Sequence, residues 1–129
     1  YNDKCKINLN SSLQQPSINK SALHRIFVNL ISNAHKYNDK PVTKIDITAN
    51  DNDLFYEFSV SDNGPGIDKL NHHRLFKMFE VLHQKDANGQ KGHGIGLSVI
   101  KRLLENMGGS IQVESEINQG ATFKFSILK

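Results

Sequence analysis

Alternating apolar and polar positions along the chain predict five β-strands, each with one buried face. These segments cover residues 4–9, 43–49, 54–61, 110–116 and 121–128. The alternation of Cys5, Ile7 and Leu9 predicts that the first is an edge strand. The turns at 51–53 and 118–120 join the other four strands into two hairpins. The inward positions of the third strand are expected to be Leu54, Tyr56, Phe58 and Val60.

Two further segments repeat apolar residues with the period of an α-helix. The first runs from about residue 20 to 37, follows the N-cap residue Asn19 and ends in the turn 38–41. Its broad apolar face is formed by Leu23, Ile26, Phe27, Leu30, Ile31, Ala34 and Tyr37. The second runs over 94–107 and is ended by Gly108 and Gly109. The intervening stretch 68–91 shows a weak helical pattern and then becomes polar, and its length is typical of a lid or binding loop.

Hairpins combined with long helices predict an α+β fold. We expect a two-layer α/β sandwich whose mixed, mainly antiparallel sheet of about five strands is covered on one face by about three helices. A length of 129 residues fits one compact domain over 1–129. The chain does not begin with methionine, and we expect it to be a piece of a longer protein.

Composition narrows the classes of function. The chain has 37% hydrophobic and 22% charged residues and a net charge of +3, which suit an ordinary soluble domain and indicate no dedicated nucleic-acid surface. The single cysteine, Cys5, excludes an internal disulfide and favours a reducing compartment. No apolar run approaches the roughly 18 residues of a membrane span. We therefore expect a cytoplasmic domain without nucleic-acid or membrane contact.

A polar stripe follows the margin of the first helix. Asn29, Asn33 and Lys36 lie at i, i+4 and i+7, so they share one side of the helix. Amide oxygens are acceptable Mg²⁺ ligands, and a lysine could contact phosphate oxygens. The alternative is an ordinary solvated helix flank.

The segment SDNGPGI places Asp62 at the end of a predicted strand, followed by Gly64, Pro65 and Gly66. A tight turn explains the glycines and the proline. A functional interpretation gives Asp62 the role of a hydrogen-bond acceptor for an amino group on a planar ligand. The residues themselves leave both interpretations open.

The segment KGHGIGL, residues 91–97, opens the second helix. A glycine-rich turn at a helix N-terminus presents backbone N–H groups to a phosphate. The segment lacks the P-loop pattern, and its spacing differs from that of the dinucleotide-binding fingerprint.

The order of these motifs resembles the ATP-binding catalytic domain of bacterial sensor histidine kinases, in the GHKL superfamily with the gyrase and mismatch-repair ATPases. NLISNAHKY corresponds to the N box, SDNGPGI and KGHGIGL to two glycine boxes, LFKMF to the phenylalanine box and QGATF to the last motif. The resemblance covers essentially the whole chain.

The resemblance implies Mg-ATP as the ligand. It assigns Asp62 to the adenine amino group, Asn33 and Asn29 to Mg²⁺, Lys36 to phosphate oxygens and Tyr37 to the adenine ring. The catalytic set is then Asn29, Asn33 and Lys36, and residues 68–91 form an ATP lid. The residues that the resemblance assigns to nucleotide binding are Asn29, Asn33, Lys36, Tyr37, Asp62, Gly64, Gly66, Ile67, Lys91, Gly92, His93, Gly94, Ile95, Gly96, Leu97 and Thr122.

The chain departs from the family pattern in its predicted lid. Where many family members carry an arginine near the second Phe of the phenylalanine box, this chain reads EVLH over residues 80–83. Lys77 replaces the usual glutamate, and His93 stands where threonine is common. A cationic phosphate contact would have to come from Lys85 or Lys91, or be missing.

The phosphoacceptor of the family is a histidine followed by an acidic residue, and none of the six histidines here has that context. The resemblance therefore places the acceptor on separate dimerisation helices of a homodimeric parent, which can be membrane-anchored, and a response regulator receives the phosphoryl group. Two alternatives stay open. One is a GHKL-type ATPase, for which Asn29 would be a poor general base. The other is a degenerate nucleotide-binding or interaction module without phosphotransfer.

Overall fold

The sheet is the frame of the fold. The computed structural model describes residues 4–13, 17–67 and 95–129. The predicted lid, the phenylalanine box and residues 91–94 lie outside the described residues. The elements, in chain order, are β1 (Cys5–Ser11), α1 (Lys20–Lys36), β2 (Thr43–Asp51), β3 (Phe55–Asp62), α2 (Ile95–Asn106), β4 (Ser110–Ser115) and β5 (Ala121–Leu128).

The five strands form one sheet in the order β1-β2-β3-β5-β4. The pairing of β1 with β2 is parallel, and the other three pairings are antiparallel. This confirms the mixed, mainly antiparallel sheet and the edge position of β1.

The two faces of the sheet differ because side chains alternate along each strand. Ile45, Ile47 and Ala49 of β2 are buried, and the register brings Val60 and Phe58 of β3 opposite the last two. The buried core combines residues of these strands with both helices: Cys5, Ile26, Leu30, Ile45, Ile47, Ala49, Phe58, Val60, Leu97, Ile100, Leu104, Phe125 and Ile127. The opposite face carries polar, mostly exposed side chains such as Lys44, Asp46 and Lys124. The predicted two-layer sandwich is confirmed, with two helices in the described part of the chain where about three were predicted.

Asparagine and glycine residues set the ends of the helices. Asn19 Oδ1 accepts the backbone N–H of Ala22 at 3.1 Å, as expected of an N-cap. At the other end of α1, the N–H of Tyr37 donates to the carbonyl of Asn33. After α2, Gly108 adopts φ +72° and Gly109 N–H donates to the Leu104 carbonyl at 2.8 Å, which closes the helix and starts β4. The predicted helix boundaries agree with these ends to within one residue.

One predicted inward residue is wrong. Leu54 is 64% exposed because it belongs to the turn before β3, where Asn52 Oδ1 accepts the N–H groups of Leu54 and Phe55. On β1 only Cys5 is buried, whereas Ile7 and Leu9 are 42% and 66% exposed. The apolar alternation of β1 therefore continues at Ile7 and Leu9, which the described helices leave exposed.

Candidate functional site

Asp62 lies at the end of β3, on the face of the sheet that packs against the helices. Its Oδ1 accepts the N–H of Gly64 at 2.8 Å and the N–H of Ala121 at 3.3 Å. Within residues 4–13, 17–67 and 95–129, no hydrogen bond reaches Oδ2. One carboxylate oxygen is thus fixed by the protein, and the other can accept a hydrogen bond from a ligand.

Burial raises the pKa of the Asp62 carboxyl, and the hydrogen bonds from Gly64 and Ala121 act in the opposite direction. A partly desolvated carboxylate is a strong hydrogen-bond acceptor because few water molecules compete for it. Asp62 has a specific geometry and a perturbed pKa, which is the combination expected of a functional residue.

The loop after Asp62 is held by the β4–β5 turn. The N–H of Ile67 donates to Ser115 Oγ at 2.8 Å, and this hydroxyl donates to the Gly120 carbonyl at 2.7 Å. The N–H of Asn118 donates to the Pro65 carbonyl. The segment SDNGPGI is therefore a tight turn, as predicted, and it is fixed to a second turn that lies more than fifty residues further along the chain.

Two glycines permit this close contact. Gly66 has φ +77°, and a Cβ there would lie 2.0 Å from the carbonyl oxygen of Glu116. Gly120 has φ +75°, and a Cβ there would lie 2.1 Å from the carbonyl oxygen of Asp62. Side chains cannot be accommodated at such distances or readily at such φ values. These glycines are required by the loop itself, whether or not a ligand is bound.

The polar stripe of α1 is present as predicted. Asn29 is half-buried, and its Nδ2 donates to the Arg25 carbonyl at 2.9 Å, which leaves the amide oxygen available as a ligand. Asn33 is also half-buried, and its side chain has no hydrogen-bond partner within the described ranges. Lys36 is exposed, with Nζ 5.7 Å from the centroid of the Tyr37 ring. Two amide oxygens one helical turn apart could contribute to an Mg²⁺ site.

The C-terminal end of α1 meets the loop after Asp62. Asn38 Nδ2 donates to Asn63 Oδ1 at 2.8 Å. A Cβ on Gly64 would lie 3.4 Å from Asn38 Nδ2 and 3.0 Å from Asp62 Oδ1. The structure thereby brings the end of the α1 stripe and Asp62 to one end of the sheet.

Thr122 does not join this cluster. It lies on the opposite face of the sheet, where its Oγ1 is 2.8 Å from Ser61 Oγ. Its neighbour Ala121 supplies the contact to Asp62. Neighbouring residues of a strand point to opposite faces of the sheet, so the structure does not bring the Thr122 side chain next to Asp62, and its assignment to the nucleotide stays a prediction.

The other predicted residues have different environments. Leu97 is 7% exposed and belongs to the core cluster. Ile67 is half-buried against that core. The backbone of Ile95 and Gly96 opens α2. Lys91, Gly92, His93 and Gly94 lie outside the described residues, so their assignment stays a prediction.

Four residues near Asp62 were missed by sequence reasoning: Asn38, Asn63, Ser115 and Ala121. Asn63 could have been recognised, because a side chain with both donor and acceptor groups directly follows Asp62. The other three are brought near Asp62 only by the fold.

No helix in the described ranges is long and apolar enough to cross a membrane. Within the same ranges, no group of three or more His, Cys, Asp or Glu side chains could hold a metal ion.

Residues 18–129 match the model of the family described as histidine kinase-, DNA gyrase B- and HSP90-like ATPase. Among curated relatives, Cyanobacterial phytochrome A of Nostoc sp. (strain PCC 7120) is 41% identical over 105 residues, which are 81% of this chain and 14% of the relative. The aerobic respiration control sensor protein ArcB of Escherichia coli K12 is 39% identical over 108 residues, 81% of this chain and 14% of ArcB. The sensor protein SrrB of Staphylococcus aureus (strain NCTC 8325) is 33% identical over 113 residues, 88% of this chain and 19% of SrrB. The chain thus spans less than a fifth of the length of these relatives.

Solved structures give the same assignment. Full-length ShkA in complex with AMPPNP aligns with a TM-score of 0.76 and 31% identity over 95% of this chain and 25% of ShkA. The nucleotide-free catalytic domain of histidine kinase ThkA aligns with a TM-score of 0.79 and 25% identity, over 98% of this chain and 81% of that chain. The mycobacterial sensor histidine kinase MprB, at 22% identity and a TM-score of 0.81 over 97% of this chain and 84% of that chain, shares the fold. The chain therefore belongs to the histidine kinase-, DNA gyrase B- and HSP90-like ATPase family and corresponds to the catalytic domain of sensor histidine kinases.

Proposed function

We propose that this domain binds Mg-ATP and transfers the γ-phosphoryl group to a histidine on the dimerisation helices of its full-length protein. The observation that carries the proposal is the geometry of Asp62, whose Oδ1 is held by two backbone N–H groups while Oδ2 accepts no hydrogen bond from the described residues. The ShkA complex with AMPPNP shows an ATP analogue bound to a protein that shares this fold.

At the adenine end, Asp62 Oδ2 accepts the exocyclic amino group. A fixed carboxylate selects a base with an amino donor over one with a carbonyl oxygen at the same position, because a second acceptor would face it unpaired. Tyr37 lies along the base, at the end of α1 that is joined to the Asp62 loop.

At the phosphate end, the α1 stripe contributes two neutral ligands and one cation. Asn29 and Asn33 fit Mg²⁺ because both offer hard amide oxygens on one side of a helix. Mg²⁺ bound there would supply charge neutralisation for the phosphates. Lys36 is exposed and has no salt bridge within the described residues, so it can contact a phosphate oxygen. Gly92, Gly94 and Gly96 complete the phosphate site in this proposal, and residues 68–91 cover it as a lid.

The transfer itself needs no nucleophile from this domain. An acceptor histidine nitrogen forms a bond to the γ-phosphorus, the bond from that phosphorus to the β–γ bridging oxygen breaks, and ADP leaves. Phosphoryl transfer depends mainly on alignment and charge stabilisation, which the α1 stripe provides. We further propose a homodimeric parent, membrane-anchored or free, whose catalytic domain over 1–129 works in the cytoplasm and passes the phosphoryl group on to a response regulator.

Water-dependent ATP hydrolysis is disfavoured. Asn29 occupies the position from which the gyrase-type enzymes are expected to activate water, and an amide is not a general base. Its Nδ2 is also bonded to the Arg25 carbonyl. We expect slow turnover of ATP when no acceptor histidine is supplied.

The test has two stages. Calorimetry should detect Mg-ATP binding by the unmodified chain and its loss in Asp62→Ala, whereas Asp46→Ala should bind normally. Asp46 is a suitable control because it is exposed on the outer face of the neighbouring strand. The histidine-bearing dimerisation domain of the parent is then added with radiolabelled ATP.

Each outcome is decisive. Label on the acceptor histidine supports the kinase. Rapid phosphate release without acceptor supports the ATPase, binding without transfer supports the degenerate nucleotide-binding module, and absence of binding refutes both the kinase and the ATPase.

A further inference from the structure

Two asparagine side chains join the end of α1 to the loop that carries Asp62. Asn38 is 6% exposed and directly follows Tyr37, and its Nδ2 donates to Asn63 Oδ1 at 2.8 Å. Neither residue is assigned a contact with ATP or Mg²⁺ in the proposed function. They connect the C-terminal end of α1, the helix that carries the proposed phosphate residues, to the residue that follows Asp62.

Asn63 extends the pairing of β2 with β3 by one residue. The last register pair at this end is Ile45 with Asp62, and Asn63 comes next on one strand while Lys44 comes next on the other. Asn63 Oδ1 accepts the N–H of Lys44 at 2.9 Å, and Asn63 Nδ2 donates to the Val42 carbonyl at 3.1 Å. The side chain therefore bonds to the neighbouring chain segment while the backbone turns towards Gly64. This arrangement fixes Asp62 from its C-terminal side.

Asn38 is fixed in a similar way on the helix side. Its Oδ1 accepts the N–H of Lys40 at 2.8 Å, and its own N–H donates to the His35 carbonyl. The amide oxygen and the amide nitrogen of Asn38 thus both have partners. A buried polar side chain that is satisfied in this way has little freedom to shift.

We propose that Asn38 and Asn63 are positioning residues that set the separation between Asp62 and the α1 stripe of Asn29, Asn33 and Lys36. The proposal rests on the proposed function, because the separation matters only to a ligand that reaches both ends. ATP is such a ligand, since its base and phosphates contact different parts of the site. A site held rigid before binding loses less free energy in ordering, and a displacement of about 1 Å can cost on the order of a hundredfold in activity.

The pair requires amides rather than merely polar side chains. Asn38→Asp keeps the shape but places a carboxylate oxygen against Asn63 Oδ1, so two acceptors face each other. Asn63→Asp keeps the acceptor for Lys44 but directs an oxygen at the Val42 carbonyl. Both isosteric variants should behave like the truncations Asn38→Ala and Asn63→Ala.

The experiment compares Mg-ATP, which would contact both the adenine end and the phosphate end of the site, with adenosine, which would contact only the adenine end. NMR titrations of the chain with Mg-ATP and with adenosine give two dissociation constants for each variant. For Asn38→Ala and Asn38→Asp, we expect the Mg-ATP constant to rise about tenfold or more and the adenosine constant to stay within about twofold. Asn63→Ser provides a second site of perturbation if the Asn38 variants do not fold, which amide peak dispersion reveals.

Ile127→Val is the matched control. Ile127 is 3% exposed and pairs with Tyr56, at the end of β3 away from Asp62. Removing one buried methylene destabilises the fold modestly without touching the site. Both dissociation constants should be unchanged in this control.

Three results would overturn the proposal: unchanged affinity for Mg-ATP in the asparagine variants, an equal loss for adenosine and Mg-ATP, or the same loss in Ile127→Val. These differ from a failure of the proposed function, in which the unmodified chain itself would not bind Mg-ATP and the positioning role would fail with it.

Discussion

Asp62→Asn should change ligand binding and the pH dependence of stability through different atoms of one side chain. The amide oxygen can retain the hydrogen bonds that Oδ1 accepts from Gly64 and Ala121. The second carboxylate oxygen becomes an NH₂ group, which cannot accept a hydrogen bond from an adenine amino group. The variant therefore keeps the loop and removes the acceptor.

The loss of binding can be worked out from the type of hydrogen bond. A hydrogen bond to a charged group contributes about 1.5–3 kcal/mol, and about 1.4 kcal/mol corresponds to a factor of ten. We therefore expect Mg-ATP to bind about ten- to a hundredfold more weakly to Asp62→Asn in isothermal titration calorimetry. Binding that stays within about threefold of the unmodified chain would refute the role of Asp62 as the adenine acceptor.

The effect on stability follows from the pKa. Burial raises the pKa of Asp62 above its usual 3.8, so the folded chain holds the proton more tightly than the unfolded chain. The resulting stabilisation is complete below the unfolded pKa and is lost as the pH rises through the folded pKa. Asp62→Asn has no such proton, so its stability relative to the unmodified chain should increase from pH 4 to pH 7.

Urea denaturation of both proteins at several pH values measures this difference, with calorimetry performed on the same samples. A difference in the free energy of unfolding that is independent of pH, or that decreases with pH, would show that Asp62 is not desolvated in the folded chain. The two measurements are independent, because calorimetry depends on a ligand and urea denaturation does not.

Substitutions at Gly120, Asn33 and Leu104 test the loop, the phosphate end and the core. Gly120→Ala places a Cβ 2.1 Å from the Asp62 carbonyl oxygen at φ +75°, and we expect it to lower the free energy of unfolding in urea by about 2 kcal/mol or more; an unchanged midpoint would contradict this geometry. Asn33→Ala should gain less affinity for ATP from Mg²⁺ than the unmodified chain does, since it keeps only Asn29 of the two proposed ligands, and an unchanged gain in calorimetry with Mg²⁺ against EDTA would exclude that role. Leu104→Ala removes a side chain that is 0% exposed and should cost about 2–5 kcal/mol in thermal unfolding, whereas Leu54→Ala, at a position 64% exposed, should stay within about 0.5 kcal/mol; equal effects would contradict the assignment of the core.

The fold was predictable because the strands alternate and glycines or asparagines separate them. The fifth strand agrees with the prediction at both ends, Ala121 and Leu128. Leu54 was assigned wrongly because the alternation continues by one step into a turn, where the side chain of Asn52 captures the backbone. A period of two residues identifies an apolar face but does not show where the strand begins.

Site residues could be proposed from the sequence where the relevant residues lie close together along the chain. Asp62 could be proposed as a site residue because Gly64 and Gly66, which permit a sharp turn, follow it closely in the sequence. The motif QGATF alone does not determine whether Ala121 or Thr122 faces Asp62, because adjacent strand residues point to opposite faces of the sheet. Asn38 and Asn63 are 25 residues apart, and their hydrogen bond appears only after α1 has packed on the sheet.

The glycines around Asp62 explain how a carboxylate can be desolvated and still accept a ligand. Gly66 and Gly120 bring the end of β3 against the β4–β5 turn more closely than any side chain would permit. That contact places the N–H of Ala121 at Asp62 Oδ1, and it desolvates the carboxylate from the protein side. Because backbone rather than side chains fills this space, Oδ2 has no competing partner among the described residues. A side chain at either glycine would separate the two turns, remove the Ala121 hydrogen bond and expose Asp62 to water, so the sharp turn and the acceptor are two consequences of one arrangement.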